Sequence, residues 1–412
     1  MTDGTTESVE SFRLRARAWL AANMPRAEES APAPGDELEA WHRARELQRK
    51  LYEGGFAGIC YPAEYGGLGL TPAHQRAFTE EADGYEMPLL LNIPTLSICL
   101  PTILDMGSEE HKREHIGAVL RGEEVLVQFL SEPSGGSDLA GLLTRAELDG
   151  DTWILNGAKT WSSSAYAGDY ALCLARTDPT VPKHHGLTMF LMPTKGEGIT
   201  MNRVAMVDGT AEFCEEFFDN VRLPASAVVG EVNGGWAVAT RQLYHERTAM
   251  GGGSPYVSGR GFAPSRKLPT PIDVARAAGR AGDPEVRELI GEWLATSTVS
   301  GQTAARVTRA IAGGHLPPAA ASLMRLMGAE AMRLERDVAM RVAGACAAVA
   351  AGDEPGVLGE AGIGYLMRQG SSLGGGSVEM SRNIVSERLL GMPREYAADR
   401  GVPFNQVRRG RA

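Results

Sequence analysis

Gln128-Phe129-Leu130-Ser131-Glu132-Pro133-Ser134-Gly135-Gly136-Ser137-Asp138 follows the apolar run Val125-Leu126-Val127, and its reading decides the fold. Ser131 and Ser137 carry side-chain donors, and Gly135 and Gly136 let a bulky polar group approach the backbone. After the patch Trp153-Ile154-Leu155 comes Asn156-Gly157-Ala158-Lys159-Thr160-Trp161-Ser162-Ser163-Ser164. The Asn-Gly pair predicts a hairpin turn, and Trp161 with Ser163 sets a flat aromatic surface beside a hydroxyl. Taken singly, each segment also reads as an ordinary surface loop or hairpin.

With 412 residues, 43% of them hydrophobic, the chain is expected to form two or three domains around sizeable cores. A net charge of −10 argues against nucleic acid as a partner, yet leaves room for an anionic small ligand. The five cysteines (Cys60, Cys99, Cys173, Cys214, Cys346) lack metal-ligand spacing, and most sit beside apolar neighbours. Free thiols in a reducing cytoplasm are the expectation. The acidic start (Asp3, Glu7, Glu10) does not read as a signal peptide, and no apolar run reads as a membrane span. His184-His185 and the other histidines form no ligand constellation, so no metal is expected.

Three regions follow from the periodicity. Residues 1–122 read as a helical domain: Phe12, Ala16 and Trp19-Leu20 recur at helical spacing until Pro25. A linker at Ala31–Gly35 leads to a helix around Leu38–Glu53, and Tyr61–Gly69 reads as a glycine-studded connector. Gly107-Ser108-Glu109-Glu110-His111-Lys112 reads as the start of a capped helix closing the region. Residues 123–232 switch to short β-rich runs, which predicts a small antiparallel barrel or sandwich. Residues 233–412 return to helices, strongest at Ser322–Arg336 and Val342–Ala351, interrupted by a flexible or extended loop at Gly251–Pro271.

In this order, the two motifs resemble the flavin-binding middle domain of the acyl-CoA dehydrogenase family, whose segments read Thr/Ser-Glu-Pro-x-x-Gly-Ser-Asp and Gly-x-Lys-x-Trp-x-Thr/Ser. The resemblance covers nearly the whole chain. It implies an α+β fold with an N-terminal helical domain, a middle antiparallel β-barrel domain and a C-terminal helical bundle. It also implies FAD, held by Gln128, Leu130, Ser131, Gly136, Ser137, Trp161, Ser162 and Ser163. From the last loop it adds Gly376, Ser377 and Glu379.

The catalytic base is the next question. Leu243-Tyr244-His245-Glu246-Arg247 resembles the family's reactive helix, although an adjacent Glu-Arg pair by itself reads as a solvated helix face. Gly374-Gly375-Gly376-Ser377-Val378-Glu379 resembles the last catalytic loop, where many members carry the catalytic glutamate at the place of Gly375. Isovaleryl-type and long-chain-type members have glycine there and a glutamate on the helix, at the position matching Glu246. The resemblance therefore implies Glu246 as the base, with Glu379 as its nearest rival. Glu246 would take the α-proton of an acyl thioester while the β-hydrogen leaves as hydride to flavin N5. Ser137, Tyr244, Arg247 and Gly375 would contact the substrate, an acyl-CoA or an acyl-carrier-protein conjugate. Tyr85, Met87, Leu90 and Leu96 read equally as pocket lining or as core.

Two departures stand out. Arg260–Pro269 does not reproduce the family's Arg-x-x-Phe-Gly segment, and Glu360-Ala361-Gly362-Ile363-Gly364-Tyr365 is a trace of its Gln-x-x-Gly-Gly-x-Gly segment. Both normally help hold the flavin's adenine half across a dimer interface. The pattern, with Ser386–Glu395, resembles bacterial branches that assemble as α2β2 tetramers. A homodimer or homotetramer, an electron-transfer flavoprotein or oxygen as acceptor, and a poorly active partner subunit all stay open.

Overall fold

The computed structural model describes residues 7–27, 37–261, 268–348 and 356–407; the Ala31–Gly35 linker lies outside them. Helices at the start follow the apolar spacing. α1 (Val9–Asn23) buries Phe12, Ala16 and Leu20 on one face, and the Ser8 hydroxyl caps it by accepting the Ser11 amide at 3.2 Å. α2 (Glu37–Glu53) buries Trp41, Ala44, Leu47 and Leu51, and α3 (Pro72–Glu81) opens on a Thr71–His74 capping box. The Tyr61–Gly69 connector closes tightly. A Cβ on Gly67 would lie 2.2 Å from the Tyr61 carbonyl oxygen, so a side chain there cannot be housed.

Leu89–Met106 has a mean hydropathy of 1.6 over 18 residues, long and apolar enough for a membrane span, against the expectation that the chain has no such run. However, 67% of it is buried inside the protein. Its last turns form α4 (Leu100–Met106), whose Leu100 and Ile103 join the same core as the sheet; Met87 and Leu96 are likewise core residues. Ser108 caps α5 (Glu109–His111) as its sequence predicts, and a wider turn leads to α6 (Gly117–Leu120).

Eight strands then form one sheet: β1 (Leu126–Phe129), β2 (Arg145–Asp149), β3 (Thr152–Ser163), β4 (Tyr170–Arg176), β5 (Leu187–Pro193), β6 (Ile199–Val204), β7 (Phe213–Pro224) and β8 (Val228–Val229). The order is β6-β7-β3-β2-β4-β5-β8, with β1 beside β4. Pairings are antiparallel except β1–β4 and a single β2–β4 bridge, which are parallel. Asn156-Gly157 is not a hairpin turn. β3 runs through it with a register shift, Gly157 sits at φ 150°, and a Cβ there would lie 2.6 Å from the Thr144 Cα. The pair marks a bulge that brings β3 close to its neighbour. The turn between β2 and β3 falls instead at Gly150, φ 65°.

The described residues divide into two compact units. One comprises Met1–Val204, Glu212–Ala263 and Ala397–Ala412, and the other Ala205–Ala211 and Pro264–Tyr396. α7 (Gly235–Met250) belongs to the first. So does the start of the Gly251–Pro271 interruption, which runs through turns and bends and is anchored at Ser258. Buried Ser258 donates its amide to Asn92 Oδ1 (2.7 Å) and its hydroxyl to Gln48 Oε1 (2.8 Å). Residues 262–267 lie outside the description.

The second unit holds α8 (Pro271–Ala277), α9 (Pro284–Ala312), α10 (Ala321–Ala343), α11 (Gly356–Met367) and α12 (Val378–Ile384) around Val274, Val286, Trp293, Val338 and Val342. The alanine-rich stretch from Val342 does not extend α10. Gly344, at φ 60°, ends the helix and a tight turn follows to Ala348, while residues 349–351 lie outside the description.

Candidate active site

β1 delivers the Leu130–Asp138 loop and β3 delivers Trp161, and a buried ion pair ties the two together. Lys159 Nζ donates to the Leu130 carbonyl (3.0 Å) and to Glu132 Oε1 (3.1 Å), with side chains 0% and 4% exposed. Glu132 also accepts the amides of Leu143 (2.6 Å) and Thr144 (2.9 Å), and the Thr160 amide donates to the Ser131 carbonyl at 2.9 Å. Burial alone would raise the Glu132 carboxyl. The Lys159 ammonium, the Thr144 hydroxyl and the two amides outweigh it and hold the pKa below the ordinary value. Sequence reading missed this pair. The available signal was an acid and a base inside motifs that otherwise read as glycine and hydroxyl.

The Trp161 side chain turns outward and the Ser162 side chain turns inward. A second register shift in β3, between Thr160 and Ser162, goes with φ 63° at Trp161, which leaves the indole 55% exposed with its edge on Phe213. The buried Ser162 hydroxyl donates to Glu216 Oε2 at 2.9 Å, so it does not share the outer face with Trp161 as expected of a cofactor contact. Burial raises the Glu216 carboxyl to about 7, opposed in part by the Ser162 hydroxyl and the Lys159 ammonium. Its Oε1 is buried with no hydrogen-bond partner.

Ser131 and Ser163 are half-buried, Leu130 is buried, and Ser137 is exposed. A Cβ on Gly136 would lie 2.9 Å from Ser131 Oγ. An exposed indole, several hydroxyls and bare glycine backbone suit a flat ring system with polar edges and phosphates, which is the chemistry of FAD.

α7 is anchored at three points. At its start, a Cβ on Gly235 would lie 2.7 Å from the Thr188 backbone, so glycine is what allows helix and β5 to touch. In its middle, Asp105 on α4 accepts from His245 Nε2 at 2.7 Å and from Arg241 Nε. Burial would raise Asp105, but these two donors hold it below the ordinary carboxyl range. Third, Gln242 Nε2 donates to Gln128 Oε1 (3.0 Å), and Gln128 Nε2 in turn donates to Glu246 Oε2 (3.5 Å). The Gln128 carboxamide, expected at the cofactor, is thus committed to α7. Glu246 is half-buried, and its charge adds to burial in raising the Cys99 thiol. Tyr244 and Arg247 are half-buried on the same helix, Tyr244 against the His245 ring.

Gly375, Gly376, Ser377 and Glu379 belong to the second unit. Both glycines have positive φ (71° and 94°), Arg325 donates to the Ser371 (2.7 Å) and Gly374 (2.5 Å) carbonyls, and Ser377 caps α12 by accepting the Met380 amide at 3.2 Å. Glu379 is exposed in the first turn. The Glu360–Tyr365 glycines serve packing within the unit: a Cβ on Gly362 would lie 1.9 Å from the Ala347 carbonyl oxygen.

Three domain families match in series. They are the acyl-CoA dehydrogenase N-terminal domain over residues 6–123, the middle domain over 128–221 and the C-terminal domain over 233–390. The chain belongs to the acyl-CoA dehydrogenase family. It is 34% identical over 402 residues to the acyl-CoA dehydrogenase IpdE1 of Mycobacterium tuberculosis, covering 94% of this chain and 99% of that one. Among solved structures it resembles the Tcur3481–Tcur3483 steroid ACAD at a TM-score of 0.72 and 28% identity, covering 96% of this chain and 100% of that one. It also resembles the ChsE4–ChsE5 complex of Mycobacterium tuberculosis at a TM-score of 0.68 and 27% identity, with 96% and 100% covered. As an acyl-CoA dehydrogenase, the chain is an oxidoreductase with the helix–sheet–helix order of that family.

Proposed function

We propose that this acyl-CoA dehydrogenase uses FAD to convert an acyl-CoA to its trans-2-enoyl-CoA, with Glu246 as the base. The anchoring of α7 carries the reading, because it presents one carboxylate steadied by a residue of β1, the strand that leads into the flavin-motif loop. Within the first unit, FAD would be held by Leu130, Ser131, Gly136, Ser137, Trp161 and Ser163. The bound flavin would supply a two-electron acceptor for the substrate's β-hydrogen.

Glu246 takes the α-proton on its carboxylate, leaving the Cα electron pair to form the new double bond. The Gln128 amide holds that carboxylate in one orientation beforehand, which lowers the entropy cost of reaching the reactive geometry. Substrate that displaces water from the half-buried group raises its basicity when it is needed. Tyr244, Arg247 and Ser137 frame the acyl thioester.

The likeness to a steroid ACAD supports a steroid-derived acyl thioester as the substrate class, ahead of a carrier-protein conjugate. Two relatives solved as two-chain complexes support an α2β2 assembly, and an electron-transfer flavoprotein is the proposed acceptor. The domain division proposed is 1–122, 123–232 and 233–412. Five free cysteines support a cytoplasmic setting.

Purified protein is titrated anaerobically with straight-chain and steroid-derived acyl-CoAs while the flavin absorbance is followed. Bleaching by one class is expected, and Glu246→Gln should slow it by about 10²–10⁴-fold while keeping the flavin. Colourless protein that neither retains added FAD nor bleaches overturns the reading. It would favour the second one, a partner subunit, which the departures at Arg260 and Glu360–Tyr365 support.

A further inference from the structure

The segment Ala397–Val407 lies beyond the residues matched to the C-terminal domain family, and it belongs to the first compact unit. Its residues close on the turn between β4 and β5. The Phe404 amide donates to the Val181 carbonyl and the Asn405 amide to the Pro179 carbonyl, both at 2.9 Å, and Pro403 bridges to Pro182. The Phe404 ring is buried, with the Arg176 guanidinium 3.4 Å from its centre. Arg176, itself buried, donates to the carbonyls of Ala140 (2.6 Å), Lys183 (3.2 Å) and Leu142 (3.4 Å). Lys183, 17% exposed, bridges Asp399 (2.6 Å) and Asp138 (2.8 Å).

Both routes end at the Ser131–Asp138 loop. Asp138 is its last residue, and Ala140 and Leu142 lie in and at the end of the turn that follows it. The loop needs holding, because Pro133–Asp138 are all exposed and include the Gly135-Gly136 pair, whose freedom is costly to restrict. Its near end is fixed by the buried Glu132–Lys159 pair. Its far end is fixed by Lys183 and Arg176, and the C-terminal segment holds both of these cations in place. A charge shared between two carboxylates and a guanidinium desolvated on an aromatic face are stronger ties than a single exposed ion pair.

We propose that Asp399 and Phe404 are positioning residues: acting through Lys183 and Arg176, they strap the Ser131–Asp138 loop into the shape that binds the cofactor. The proposal rests on the flavin reading of that loop. It makes the C-terminal segment part of the cofactor site without touching the cofactor.

The full-length chain is stripped of flavin, and FAD is titrated back by fluorescence, with the thermal midpoint of the apoprotein measured in parallel. Asp399→Asn with Phe404→Ala should raise the FAD Kd about tenfold. Phe404→Tyr and Asp399→Glu, which keep ring and charge, should restore it. A Kd within twofold of wild type in the double variant overturns the strap. If Phe404→Ala does not fold, Asp399→Asn alone decides: an unchanged Kd overturns the proposal, and a several-fold rise that Asp399→Glu reverses supports it. Trp161→Ala in the otherwise intact chain separates the two readings. If it loses FAD while the tail variants do not, the flavin site stands and the strap falls. If wild-type protein binds no FAD at all, both fall.

Discussion

Glu132, in the loop after β1, and Glu216, on β7, are two buried carboxylates with opposite fates, set by their partners. Glu132 faces an ammonium and two amides and stays low, whereas Glu216 has one hydroxyl and rises to about 7. The sign for Glu216 follows from linkage. Its folded pKa lies above the ordinary 4.5, so its stabilising effect is whole below that value and is lost as pH climbs toward 7. Glu216→Gln should therefore flatten the decline in stability between about pH 5 and 8, and raise stability at pH 8 by roughly 1–3 kcal/mol. Urea unfolding at both pH values checks this; a slope that persists in the variant would show that another group carries it. At this scale the sequence supplied the residue types but not their facing. Ser162 and Trp161 are neighbours in one motif, and a β-bulge sends the first inside and the second out.

Among the elements, the joint between β1 and β3 is the tested case. Lys159→Met would leave Glu132 buried without its cation, and a loss of about 3–5 kcal/mol is expected. Adding Glu132→Leu removes the stranded charge and should return most of that stability. FAD retention should stay low in the double variant, since the Leu130 carbonyl still lacks the donor that sets the loop. Full recovery of both would reduce the pair to a packing role. Helices were legible where one face repeats, as with Phe12, Ala16 and Leu20 on α1. β6 was not, because its Ile199–Val204 positions are only half-buried or exposed and give a weak alternation. Asn156-Gly157 misled for a different reason: glycine there answers a close approach between strands, which mimics a turn signal.

For the whole molecule, separate cores in the two compact units predict that unfolding is not two-state. Scanning calorimetry of the apoprotein should show a calorimetric enthalpy larger than the van't Hoff value; equal enthalpies would mean the units melt as one. The sequence by itself determined the order of helices, strands and helices. Residue type and local period fix that order, whereas the flavin reading of the two motifs and the pairing of Gly375 with Glu246 came from the resemblance to the family. Only the tertiary structure decided that Gln128 turns to Glu246, that Lys159 reaches Glu132, and that the C-terminal segment returns to Asp138. Those contacts join positions far apart in the chain, 118 residues in the case of Gln128 and Glu246. Their partners are chosen by packing and by the need to satisfy buried charge, neither of which any local stretch of sequence encodes.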